Sequence, residues 1–212
     1  MATEPPSGPA PRGSRGEREL QERYGTAPRA RIFYERQVLD HLNEKMRRFL
    51  EEQDMLFVAT ADAEGNADCS FRAGPPGFVR LLNDRTVTFP NYRGNGVMAS
   101  LGNISENPHV GLFFIDFTRD TIGLHVNGRG RVVENEELVA RPDLSEAVRC
   151  DLAVTGGQRP ERWILVEVEE AYVHCSKHIP RLVRAVGAMD WGTDDPRKKG
   201  GDYFGMRADK DG

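Results

Sequence analysis

Apolar residues early in the chain recur at a helical spacing. Ile32, Phe33, Val38, Leu39, Leu42, Met46, Phe49 and Leu50 fall three and four apart, with Arg, Glu and Lys between them. This predicts one amphipathic helix of about five or six turns from near Pro28. After Asp54 the period shortens to two and β-forming residues take over. Met55–Ala61 and Ala67–Arg72 flank the turn-forming Asp62–Asn66 and read as a hairpin. Pro75 and Pro76 then end the second strand, since proline has no N–H to give a ladder. Phe78–Leu82 with Arg85–Phe89, and His109–Phe117 with Ile122–Val133, read as two further hairpins. Trp163–Cys175 reads as a last strand buried on one side through Ile164, Val166 and Val168. Helices are expected over Val97–Asn107 and over Glu136–Ala153, the latter interrupted by Pro142. Six or seven strands joined mainly by short turns predict a mainly β (α+β) protein, an antiparallel barrel or sandwich with flanking helices.

The two ends differ from this pattern. Residues 1–16 combine Pro, Gly, Ser and Arg with almost nothing apolar and cannot repay the entropy of ordering. The expected organisation is a disordered N-terminal tail over 1–28, one domain over 29–185 that includes the N-terminal helix, and a C-terminal extension over 186–212. In that extension Trp191, Tyr203 and Phe204 are too large to stand idle in solvent, so it is expected to dock.

Charge and composition remove several classes of function. The net charge of −4 argues against nucleic acid as a partner. No apolar run approaches the ~20 residues of a membrane helix, so no membrane partner is expected. Three cysteines are an odd number and make no disulfide framework. The first residues lack the apolar segment of a signal peptide, and a cytoplasmic enzyme or binding protein is expected.

The candidate chemistry concentrates in Val87–Gly96, where a strand runs into Asn91–Tyr92–Arg93–Gly94–Asn95–Gly96 and then into a helix. Two readings stand open. Free backbone N–H groups and the helix dipole converge on an anion, with Arg93 as a phosphate-matched fork; or the loop is a glycine-rich turn in which Asn95 caps the helix and Arg93 is solvated. Ser70 and Arg72 share a strand face and are placed to form a second side of such a site. His174 and His178 have no third ligand at a recognisable spacing, so no metal site is expected. Cys175 has no visible triad partners. There is no Gly-x-Gly-x-x-Gly after a strand, no P-loop and no Gly-x-Ser-x-Gly elbow.

Three segments in order carry a family resemblance: Gly77–Phe78–Val79–Arg80–Leu81–Leu82; Phe89–Gly96 running into Ser100–Ile104; and Asn107–Pro108–His109–Val110–Gly111–Leu112–Phe113–Phe114. With the closing strand from Trp163 to Lys177, this stretch resembles the pyridoxamine 5′-phosphate oxidase-like superfamily of FMN-binding split β-barrels. The resemblance implies a homodimer with one FMN in each of two clefts at the subunit interface. It places Arg93, Gly94, Asn95 and Gly96 at the FMN phosphate, Phe89, Pro90 and Asn91 along the ring, and Ser70 and Arg72 on the neighbouring strand. His174 and Lys177 would approach from the second subunit, with Asn127 and Arg129 lining the same cleft. The loop has Asn95–Gly96 where the vitamin oxidase carries two basic residues. The C-terminus, with Trp191–Gly192–Thr193, also lacks that enzyme's substrate-binding pattern, so a different small-molecule substrate is expected. The implied activity is an FMN-dependent oxidoreductase with no catalytic residue identified. The alternatives are a non-catalytic flavin- or heme-binding or sensing protein of the same fold, or a deazaflavin-dependent reductase.

Overall fold

The computed structural model describes residues 12–185, 187, 190, 192–193, 195–198 and 201–206. It divides into two compact units, one ending at Val38 and the other starting at Leu39. The first holds α1 (Arg15–Arg23) and α2 (Ala27–Gln37). Ser14 and Glu17 form a reciprocal capping box that starts α1. Tyr34 on α2 donates to Glu17 at 3.1 Å, tying the helices together. The expected tail over 1–28 therefore carries a helix and the start of another; residues 1–11 lie outside the described residues. β1 (Val38–Leu39) is a two-residue strand at the junction.

The single helix expected over Pro28–Leu50 is two helices with a break. Leu42 is fully buried, and its N–H donates to the Asp84 carbonyl at 2.7 Å instead of to a helical turn. Asn43 then accepts from the Met46 N–H at 3.0 Å and restarts the chain as α3 (Glu44–Glu52). Apolar spacing stayed helical across the break because Leu42 fills the core from a non-helical backbone.

The remaining elements are β2 (Met55–Ala61), β3 (Ala67–Ala73), β4 (Arg80–Asn83), β5 (Thr86–Asn91), α4 (Ala99–Glu106), β6 (His109–Asp116), β7 (Ile122–Val133), α5 (Asn135–Val139), α6 (Glu146–Ala153) and β8 (Arg162–His174). The protein is α+β: an antiparallel sheet whose main path runs β3-β2-β6-β7-β8-β5-β4, with flanking helices. Each predicted hairpin is present in the sheet. Alternation sends Leu56, Val58, Leu112, Phe114, Leu124 and Val126 into one core with Phe89, Leu101, Ile104 and Val166.

β8 departs from the one-sided burial expected of it. Ile164 and Val166 join that main core, while Trp163 and Leu165 enter a second cluster with Val133, Leu138, Leu144 and Val148. α5 and α6 thus cover the other face of the first half of β8, and the Trp163 indole N–H donates to Asn135 at 2.9 Å. A bulge at Asn127/Gly128 interrupts the β7–β8 ladder. A Cβ at Gly128 would lie 2.0 Å from the Glu167 carbonyl oxygen, so only glycine allows the strands to approach.

Beyond β8 the chain returns along the sheet, with the Leu182 N–H donating to Phe117 at 2.8 Å and Arg184 paired with Asp54. Of the large residues expected to dock, Tyr203 and Phe204 are each 83% exposed and stack edge to face on each other at 5.1 Å; Trp191 lies outside the described residues. No helix among the described residues is long and apolar enough to cross a membrane.

Candidate functional site: an arginine-bearing cleft

The cleft is assembled from a strand face, a loop and a helix start. In β3 the period of two turns Asp68, Ser70 and Arg72 to one side, the side on which their partners Thr60, Val58 and Leu56 are buried. Opposite them stands the N-terminus of α4. Between the two runs the loop 92–98, and Glu161 closes the rim, giving a cleft of about 460 Å³.

α4 opens without a side-chain cap. Its N-cap, Met98, is in the left-handed region at φ 57, a strained conformation for a side chain of this size. The Asn95 side chain accepts from the Val97 N–H at 3.0 Å, so it closes the loop rather than capping the helix. The first amides of α4 are left for the cleft. Its remaining length is fixed: Asn103 donates to the Thr60 hydroxyl at 3.0 Å, and Glu106 accepts from the Ala63 N–H at 3.2 Å. The buried Ser100 shares a 2.7 Å hydrogen bond with Ser70, and donates to Asp68 at 3.4 Å.

Arg72 is the distinctive group. Its Nε is buried and has no hydrogen-bond partner among the described residues. Burial pushes the guanidinium's pKa down, and nearby Asp68 offsets this in part. The group still carries its charge at neutral pH. Arg93 stands at the rim, 52% exposed, with Nε 3.3 Å from Glu161. Tyr92 also lines the cleft, and burial, then Asp151, pushes its phenol up to about 12 against the opposing pull of Arg80. Arg80 and Asp151 form a bidentate pair at 2.7 and 3.0 Å, which ties β4 to α6 behind this residue.

Of the thirteen residues singled out from sequence, Ser70, Arg72, Asn91, Arg93, Gly94, Asn95 and Gly96 meet around this cleft. Phe89 and Pro90 do not: β5 continues through them into pairing with Ile164 and Trp163, and both are buried. The Phe89 side chain packs in the main core. Asn91, two residues further on, shares the strand face of Phe89 and is itself buried, and it reaches the cleft lining because β5 ends there.

Asn127, Arg129, His174 and Lys177 lie elsewhere. The first three belong to the other sheet face or its margin, where Arg129 contacts His109 at 3.2 Å. Lys177 is exposed in the turn Ser176–His178. That outer face carries an aromatic band across five strands. Phe71 and Phe57 pack edge to face at 5.6 Å, while Phe113 stacks on His125 at 4.4 Å and His125 on Tyr172 at 4.7 Å. His174 bonds His125 at 3.1 Å, and burial, then His174, pushes the His125 pKa down.

Asp68, Tyr92, Ser100 and Glu161 line the cleft without having been singled out. Asp68 was within reach of sequence reasoning, two residues before Ser70 on the same strand face. Glu161 was not, because only the pairing of Asn91 with Arg162 brings it to the rim. No group of three or more His, Cys, Asp or Glu able to hold a metal ion occurs among the described residues.

This is an α+β domain in which an antiparallel sheet holds a polar, arginine-bearing cleft at the start of a helix. Residues 42–175 match the family model for pyridoxamine 5′-phosphate oxidase, and the chain belongs to that family. A search of curated proteins finds no match. Solved structures similar to it include HupZ of Group A Streptococcus, 19% identical, with a TM-score of 0.44, covering 61% of this chain and 92% of its own. The FAD-binding protein of Mycobacterium smegmatis is 18% identical with a TM-score of 0.42, covering 63% of this chain and 95% of its own. The heme storage protein HutZ of Vibrio cholerae is 15% identical with a TM-score of 0.39, covering 63% and 93%.

Proposed function

We propose that the protein is an FMN-dependent oxidoreductase of the cytoplasm, a homodimer of split β-barrels with one FMN in each of two interface clefts. The observation that carries this reading is Arg72, a half-buried cation that lines the cleft and whose buried Nε has no hydrogen-bond partner among the described residues. An unmet buried donor is costly and fits an anionic ligand that completes it. Ser70, Ser100, the first amides of α4, the Gly94–Gly96 loop and Arg93 surround the same space and are suited to a phosphate. Asn91 would flank the ring, with Phe89 and Pro90 as backbone behind it. When bound, the flavin supplies the electron-transfer chemistry, while the protein supplies position and electrostatics.

The outer aromatic band supports the dimer. Phe71 is 52% exposed although it packs on Phe57, and a second copy would cover it. Asn127, Arg129, His174 and Lys177 would then reach a cleft from the partner. The two arginines of the cleft are matched by Asp68 and Glu161, a balance that disfavours the long acidic tail of a deazaflavin coenzyme. Pyridoxamine phosphate is not the proposed substrate, since Asn95–Gly96 replaces the basic pair of the vitamin oxidase.

The test is the absorbance spectrum of the full chain after incubation with FMN and gel filtration. Flavin bands that bleach anaerobically with NADH or NADPH are expected. Bands that never bleach favour a flavin carrier, an intense Soret band favours heme, and a colourless protein overturns the reading.

A further inference from the structure

We propose that Asp68 is a specificity-determining residue of the cleft: it makes the strand side of the site an acceptor of hydrogen bonds, so that the cleft takes an oxyanion that still carries a proton, such as phosphate, over one that carries none, such as sulfate. The inference rests on the anion-binding reading of the cleft and extends it to the protonation state of the anion.

The hydroxyl protons on this side are already committed. Asp68, Ser70 and Arg72 leave β3 on one face, and all three line the cleft. The Ser100 hydroxyl donates to the Asp68 carboxylate at 3.4 Å, a direction fixed because an ionised carboxylate has no proton to give. Each hydroxyl has a single proton. The 2.7 Å bond between Ser70 and Ser100 is therefore donated by Ser70, and neither serine keeps a proton for a ligand. Asp68, Ser70 and Ser100 offer the cleft lone pairs only, while Arg72, Arg93 and the first amides of α4 offer donors. An anion that spans the cleft meets donors on one part of its surface and acceptors on another.

Phosphate and sulfate separate this effect from charge. Both are tetrahedral, of similar size and, in mildly alkaline solution, predominantly dianions. The repulsion from Asp68 and Glu161 and the attraction of Arg72 and Arg93 are nearly common to the two and cancel in the ratio of their affinities. What differs is one proton. Hydrogen phosphate keeps an O–H that can donate to Asp68 or Ser70, whereas sulfate turns a bare oxygen toward bare lone pairs. A phosphate monoester, with a second pKa of about 6, enters such a site in its singly protonated form and takes up a proton from solvent at neutral pH.

The test titrates inorganic phosphate and inorganic sulfate calorimetrically into the full chain and its variants at pH 8.5 and constant ionic strength. The wild type is expected to prefer phosphate by at least about tenfold, the size of one charge-assisted hydrogen bond. Asp68→Asn, whose amide can donate to either anion, is expected to bring the ratio to about threefold or less by tightening sulfate more than phosphate. Asp68→Ala, which frees the Ser100 proton without adding a donor, is expected to do the same, and it stands in should the first variant fail to fold. Glu161→Gln also removes a negative charge from the cleft, but that carboxylate already faces Arg93 at 3.3 Å and Arg162 at 3.8 Å; it is expected to tighten both anions together and leave the ratio as it was. A wild type that binds the two anions alike or binds no phosphate, a ratio unmoved by both Asp68 variants, or a ratio that collapses as far in Glu161→Gln overturns the proposal. Parallel titration with FMN separates the two claims. Discrimination that depends on Asp68 without FMN binding upholds the residue's role and removes the flavin reading. FMN binding with a ratio indifferent to Asp68 does the reverse.

Discussion

Replacing Arg72 by methionine removes the buried donor while keeping most of the apolar stem that packs against β2. An unsatisfied buried polar group costs ~1–3 kcal/mol, and its removal works in favour of the folded state. Losing the attraction to Asp68 works against it, leaving an expected net stabilisation of about 1 kcal/mol. For a domain of this size that raises Tm by roughly 2–4 °C. Phosphate should reverse the ranking. At a concentration of about 100 Kd it stabilises the wild type by ~2.7 kcal/mol through linkage. A lost charge-assisted bond of ~1.5–3 kcal/mol weakens binding about ten- to a hundredfold, so the same phosphate should add at most ~1.4 kcal/mol to the variant. Thermal unfolding of both proteins with and without phosphate measures all four values. A variant that is less stable in plain buffer, yet keeps the full phosphate shift, would refute the view of Arg72 as a cation held for an absent anion.

Three further outcomes follow from the geometry. Asp116 is pushed up by burial, but the backbone N–H groups of Asp120, Arg119 and Thr118 overcome this and hold its carboxyl down to about 2, below the usual 3.8. The group contributes about 2 kcal/mol that is present above pH ~4 and lost as pH falls through ~2. Asp116→Ala should therefore cost about that much in urea unfolding at pH 7, and flatten the acid limb of the stability profile. Gly128→Ala drives a Cβ to 2.0 Å from the Glu167 carbonyl and should destabilise the protein by at least ~2 kcal/mol, whereas Gly102→Ala, which meets nothing within 4 Å, should not. Phe113→Glu places a charge between Phe57 and His125 on the outer face and, if that face forms the proposed dimer interface, should lower the sedimentation coefficient from that of a dimer to that of a monomer.

Strand content was legible because most strands, such as β2, β6 and β7, have one wetter and one dry face, and period-two alternation records that directly. It misled where this physical condition failed. Trp163 and Leu165 are buried by α5 and α6 on the face that Glu167 and Glu169 leave to solvent further along β8, a switch of environment within one strand that no periodicity encodes. Leu42 misled differently, since its spacing fits a helix while its backbone bonds to Asp84. In the cleft, Ser70, Arg72 and the 91–96 loop were readable because they are local: a strand face, and a loop before a helix. Phe89 and Pro90 lie off the cleft lining because β5 continues through them into its pairing with β8. Glu161 depends on that same long-range pairing, and no local pattern marks it.

The anchoring of α4 has a kinetic meaning. Asn103 and Glu106 tie the helix to β2 and the turn after it, so Ser100 and the neighbouring amides stand in place before any ligand arrives. The loop that faces them contains Gly94 and Gly96, the latter at φ 83, and is tied by the side chains of Glu161 and Arg162. The entropy of ordering on binding therefore falls more on the loop than on the helix. A cleft divided in this way separates speed from strength: changes at Glu161 and Arg162 should act on how fast an anion enters and leaves, while the helix side sets how well it is held once inside.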